Sequence, residues 1–104
     1  MYLNKIPNIP SFVWHFENLQ TLSWGLSGVK SISPEIGNLQ NLEYLTFVGN
    51  KITELPDSFG ALKNLKATRL HKNRIANLPD TIGNLEKLEQ ITLYQNQLNN
   101  LPET

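Results

Sequence analysis

His15 and His71, together with nine acidic side chains, are the groups in this sequence that could move a proton or hold a metal. There is no cysteine, which removes thiolate zinc sites, iron–sulfur clusters, disulfide frameworks and cysteine nucleophiles together. Hydrolysis through histidine needs a nucleophile, a base and an orienting group in contact. Glycoside chemistry needs two acids facing across a cleft, whereas the acids here are dispersed along the chain. No phosphate-binding loop, dinucleotide fingerprint or N-x-S/T sequon is present. The expectation is a protein that is not an enzyme, with no metal and no cofactor. What remains is non-covalent chemistry. Tyr2, Tyr44 and Tyr94, the apolar Leu26 and Val48, and the basic set Arg69, His71 and Lys72 are residue types that anchor interfaces, and Phe12 and Trp14 form a second aromatic group. Whether they act together depends on the elements that carry them.

Those elements follow from an internal period. Leu19, Leu42, Leu65 and Leu88 are spaced by 23 residues, and so are Ile9, Ile32, Leu55, Leu78 and Leu101. The same register aligns Leu22, Leu45, Thr68 and Ile91, then Trp24, Phe47, Leu70 and Leu93, then Val29, Ile52, Ile75 and Leu98. Two further columns run Val13, Ile36, Phe59, Ile82 and Phe16, Leu39, Leu62, Leu85. Of these 29 positions, 28 are apolar, where composition alone predicts about 11. Thr68 is the exception. Around Leu22 and Trp24 the pattern alternates at period two, which predicts a short strand per repeat. Stacked repeats then give a parallel sheet, since no repeat can bury its apolar face alone.

The unit LEQITLYQNQL, Leu88 to Leu98, reads L-x-x-L-x-L-x-x-N-x-L and resembles the leucine-rich repeat signature. The segment LPDTIGNL, Leu78 to Leu85, is similar to the 23-residue L-P-x-x-I-G-x-L subtype of intracellular Ras-group proteins and of bacterial, notably spirochaete, repeat families. The resemblance covers essentially the whole chain. It implies an α/β fold: a right-handed leucine-rich repeat solenoid, with a parallel sheet on the concave face and short helical or 3-10 turns on the convex side. It also implies a scaffold that binds many unrelated partners, without saying which.

Within that frame the Asn column (Asn4, Asn50, Asn73, Asn96, with Ser27 substituting) should satisfy backbone groups where the chain leaves each strand. Leu-Pro should open each return segment, because the missing N–H of proline costs nothing there. The turns should end at Gly37, Gly60 and Gly83, where positive φ is cheap. His15 falls on a convex return segment and His71 on the concave face, so they cannot share a metal.

Nine basic and nine acidic side chains cancel, which argues against nucleic acid as a partner and against a polybasic membrane anchor. No apolar run approaches the roughly 18 residues of a membrane span. Residues 1–104 are expected to form a single domain: a partial repeat over 1–8, four full repeats, and a truncated end at 101–104. Neither end supplies a polar cap. Either the chain is a fragment, or it forms a homo-oligomer through its uncapped ends or a domain swap. No signal peptide, cysteine-bearing cap or sequon is visible, which leans towards the cytoplasm, although a secreted or surface-exposed bacterial protein would look the same.

Three places depart from the pattern. Thr68 in a leucine slot should cost about 2–3 kcal/mol unless its hydroxyl finds a partner. The run Phe12 to Phe16 has more apolar groups than one inward face can use, so Phe12 and Trp14 either wrap the amino-terminal end as a cap or form a convex interface. Trp24 should fill the core, with Gly25 and Gly28 relieving the crowding around it. On the concave face, Arg69, His71 and Lys72 lie beside Tyr94, and Glu43 and Glu89 share a column with Lys66 and can pair with it.

The leading reading is a non-catalytic module that binds a protein partner on its concave sheet. Two others stand beside it: a glycan or host-surface binding, adhesin-like protein, and a structural repeat fragment that self-associates.

Overall fold

The computed structural model describes residues 9–98 together with the backbone of 2–4. Five short strands, β1 (Tyr2–Asn4), β2 (Thr21–Gly25), β3 (Tyr44–Thr46), β4 (Ala67–Arg69) and β5 (Gln90–Thr92), pair in sequence order. All four pairings are parallel. A 3-10 turn crosses back between successive strands from β1 to β5: η1 (Ser11–His15), η2 (Pro34–Asn38), η3 (Asp57–Ala61) and η4 (Asp80–Asn84). This is the expected solenoid, with the helical element resolved as 3-10.

From β2 to β5 the register advances by one repeat per strand, joining Leu22, Leu45, Thr68 and Ile91. At β1 it differs. Tyr2 pairs with Ser23 and Asn4 with Gly25, so the expected alignment of Asn4 with the Asn column, and of Tyr2 with Gly25, is shifted by two residues. A two-residue slip keeps the alternation of faces, which is why the ladder tolerates it. The remainder of the partial repeat, and the end at 101–104, lie outside the described residues.

β2 alternates half-buried and buried along its length, with Leu22 and Trp24 inward. The inward columns make one core running from Val13 to Leu85. Trp24 fills it as expected. Phe16 does not. It is 39% exposed and packs edge-on against Phe12, with ring centroids 5.8 Å apart, while its column mates Leu39 and Leu62 are fully buried.

From Asn50 to Asn96 the Asn column works as expected; the side chain of Asn4 lies outside the described residues. Asn50 accepts from the N–H groups of Ser27 and Val29 and donates to the Trp24 carbonyl. Asn73 accepts from Ile52 N–H and donates to the Phe47 and Leu70 carbonyls. Asn96 bridges Ile75 N–H to the Leu70 and Leu93 carbonyls. A second ladder was not foreseen. The hydroxyls of Ser58 and Thr81 donate to the carbonyls of Pro34 and Asp57 in the preceding turn. A third joins Asn41 to the Glu17 carbonyl and Asn64 to that of Gln40.

Proline precedes or opens every turn: Pro10, Pro56 and Pro79 sit at the cap position, and Pro34 follows the Ser33 cap. The glycines act differently from expectation. Positive φ among the described glycines occurs at Gly28 and Gly49, not in the turns. Gly37 and Gly60 lie inside their turns because the next turn is too close for a side chain. A Cβ on Gly60 would meet Thr81 Cβ and its carbonyl oxygen at 2.5 Å. Gly28 has nothing within 4 Å, so it supplies a left-handed turn and does not relieve crowding.

Thr68 is fully buried, and its hydroxyl has no hydrogen-bond partner. The expected cost of that substitution is not offset.

Candidate functional site

The strands place alternate side chains outward, and these line a concave cavity of about 420 Å³. Its walls are Thr21, Ser23, Tyr44, Thr46, Arg69 and Gln90, and Ala67 forms part of its floor. Of the expected site residues, Tyr44 and Arg69 therefore share one cavity. Tyr44 is 45% exposed, so its ring is open to solvent. The hydroxyls and Gln90 are neither apolar nor charged, so their residue types alone do not mark them as site residues. Their shared columns with Tyr44 and Arg69 were the available signal.

His71 and Tyr94 meet just beyond the ends of β4 and β5. Their rings stack at 4.3 Å, tilted by 12°, and His71 Nδ1 lies 2.9 Å from the Thr92 hydroxyl. Partial burial, then the charges of Lys72 and Arg69, hold the imidazole below its ordinary value. Tyr94 stays 57% exposed on its other face.

Leu26 and Lys72 sit at the column where the chain turns out of the strand. Both have positive φ, 52° and 60°, as do Gln95 and Gly49 in the same column. The leucine side chain lies over Gly49, where a Cβ would come within 2.5 Å of Leu26 Cδ2. It is 75% exposed despite that contact. A branched apolar residue in the left-handed region, facing water, is strained and solvated at once. Val48 is half-buried beside it. The side chain of Tyr2 lies outside the described residues.

Phe12 and Trp14 separate. Trp14 is 3% exposed and belongs to the core, so it presents no convex interface. Phe12 remains outside, paired with Phe16. Trp14 occupies the column of Gly37 and Gly60, where stacked turns leave no room for a Cβ. A polar cleft of about 420 Å³ lies between the first two turns, lined by Trp14, Gly37 and amide side chains.

The charges are sparsely paired. Lys66 approaches Glu43 at 3.8 Å, a half-exposed contact worth little. No other ion pair occurs among the described residues, so Arg69 faces no acid within that range. Among those residues no cluster of three His, Asp or Glu side chains could hold a metal, and no helix is long and apolar enough to cross a membrane.

A family model described as a leucine-rich repeat region matches residues 4–104. No curated protein matches the chain. Among solved structures, a leucine-rich repeat protein of Leptospira interrogans superposes with a TM-score of 0.88 at 34% identity, over 90% of this chain and 24% of that one. The leucine-rich repeat domain of the type III effector XopL superposes at 0.83 with 21% identity, over 97% of this chain and 38% of the other. The plant peptide hormone receptor RGFR1, in complex with RGF2, gives 0.64 at 26% identity, over 93% and 20%. This chain thus spans about a quarter of the Leptospira protein's length. The repeat register, the asparagine ladder and the match over nearly every residue converge: the chain belongs to the leucine-rich repeat family, whose members are generally non-catalytic interaction modules.

Proposed function

We propose that this chain is a non-catalytic protein–protein interaction module that binds a protein partner on its concave sheet. The supporting observation is the pairing of exposed Tyr44 with an Arg69 that has no acid opposite it, inside one cavity on a rigid sheet. Aromatic and guanidinium groups held in place by the fold lose little entropy on binding. Family neighbours include an effector's repeat domain and a receptor solved with its peptide hormone, which supports the same use here. The reading takes residues 1–104, with the segments 1–8 and 101–104 included, as one working domain, and gives it a bacterial source because of the Leptospira neighbour.

The test compares partner capture by the wild type with Tyr44→Ala, Arg69→Ala and Tyr94→Ala. All three sites are solvent-exposed, so circular dichroism should be unchanged while capture falls. Phe12→Ser, on the convex side, should capture normally. Loss of fold in the concave variants, or capture that ignores them, would sink the reading.

Self-association through the ends is a second proposal with its own support. Ile91, Leu93 and Leu98 are half-buried, whereas their equivalents Leu45, Phe47 and Ile52 are buried. A further repeat or a second copy would cover them. Light scattering across a concentration series separates a monomer from a dimer.

A further inference from the structure

One concave column reads Thr21, Tyr44, Ala67 and Gln90. Three side chains in it are branched or long, and the fourth is a methyl group. Ala67 lies in register with Tyr44 on one side and Gln90 on the other, so it makes a notch between them. Arg69, two residues further along β4, enters the same cavity and is exposed. Thr46 and Thr92 flank it in register. The cavity wall contains hydroxyls, one amide, one phenol and one guanidinium, and no acid. Arg69 has no ion-pair partner among the described residues, and Lys72 adds a second exposed positive charge beyond it. A guanidinium offers five N–H donors in a planar fork that matches a carboxylate.

We propose that the Ala67 notch is a carboxylate subsite, occupied by a Glu or Asp side chain from an extended acidic segment of the protein partner. The side chain's methylenes lie against the Tyr44 ring and the Ala67 methyl, and its carboxylate meets Arg69 in a forked pair. Charge complementarity selects this occupant, because a basic or neutral side chain would leave the guanidinium without a counter-charge as it loses water. The inference rests on the concave-face reading above and adds the chemistry of the partner.

The probe is an array of short peptides in three sets that share one sequence frame. Alternate positions carry Glu or Asp in the first set, Gln or Asn in the second, and Lys in the third. The wild type should bind the acidic set on the order of tenfold more strongly than its amide counterpart, with binding that weakens as salt is raised. Arg69→Gln should erase that preference, and Arg69→Lys should keep part of it. Ala67→Leu should fill the notch and erase it as well; if that variant does not fold, the exposed Arg69→Gln change carries the test. Equal binding of acidic and amide sets, a preference that survives Arg69→Gln, or no binding to any set overturns the subsite. If Tyr94→Ala abolishes an equal binding of both sets, the subsite falls and the concave-face reading stands. If binding ignores both Tyr94→Ala and Arg69→Gln, both fall.

Discussion

The imidazole of His71 lies almost flat on the ring of Tyr94, with centroids 4.3 Å apart and planes 12° from parallel. The two residues hold the same place in consecutive repeats, so their separation is close to the spacing of neighbouring strands, about 4.8 Å. The stack is therefore a product of the repeat and needs no special local geometry. It places the Tyr94 ring against one face of His71, whose imidazole also feels the charges of Lys72 and Arg69.

His71 should titrate below its ordinary value of 6.5, because burial and then the Lys72 and Arg69 charges disfavour the imidazolium. The unfolded chain then binds the proton more readily than the folded one. Stability supplied by this group is present above 6.5 and is lost as pH falls from there through the folded value. An NMR titration should show the lowered midpoint, and both Lys72→Ala and Tyr94→Ala should raise it. A midpoint at or above the ordinary value would contradict the burial argument.

Thr68→Val should stabilise the fold by about 1–2 kcal/mol, since it removes a buried hydroxyl that has no partner and keeps the branched shape. Equilibrium unfolding in urea reads the change as a rise in midpoint at constant slope. An unchanged or lower midpoint would mean that the hydroxyl is satisfied in solution.

Asn73→Ala should destabilise by about 3 kcal/mol. It strands the Ile52 N–H and the Phe47 carbonyl in the interior and removes a donor from the Leu70 carbonyl. Asn96→Ala should cost less, because that amide is only half-buried. The two midpoints, measured under the same conditions, check the order.

Gly60→Ala should destabilise by about 1–3 kcal/mol through overpacking against Thr81. Gly37→Ala should cost less, since its nearest contact is Ser58 Cβ at 3.1 Å. Gly28→Ala meets no atom within 4 Å and should lose only the left-handed preference of glycine. Pairing Gly60→Ala with Thr81→Gly, which removes the clashing Cβ and hydroxyl but leaves the carbonyl, should recover part of the loss.

The fold was legible because one period governs both strand and turn, and the same 23-residue step reappears as strand register from β2 to β5. What escaped was set by contact between repeats, which a column of letters does not display. The turn glycines look like sites of positive φ, yet Gly60 is there because Thr81 stands 2.5 Å from where its Cβ would be. The slip at β1 preserves the alternation of faces, so no apolar pattern could reveal it. Phe16 fits the core column by type, but its turn carries Trp14 where the others carry glycine, and Phe16 is left to pair with Phe12 outside. At the candidate site, Tyr44 and Arg69 stood out as residues a solvated sheet does not need. The notch they share depends on Ala67, whose importance lies in what it lacks.

The side-chain bridges between repeats join residues 21 to 26 apart along the chain. Each new repeat therefore closes a loop of nearly the same length as the one before, and the chain entropy lost at each closure is nearly constant. The molecule never has to bring its two ends together in order to fold. Once one pair of repeats has formed, order can spread outward by identical steps, so the time needed to form the array depends on the closure of a single loop and on how many times it is repeated.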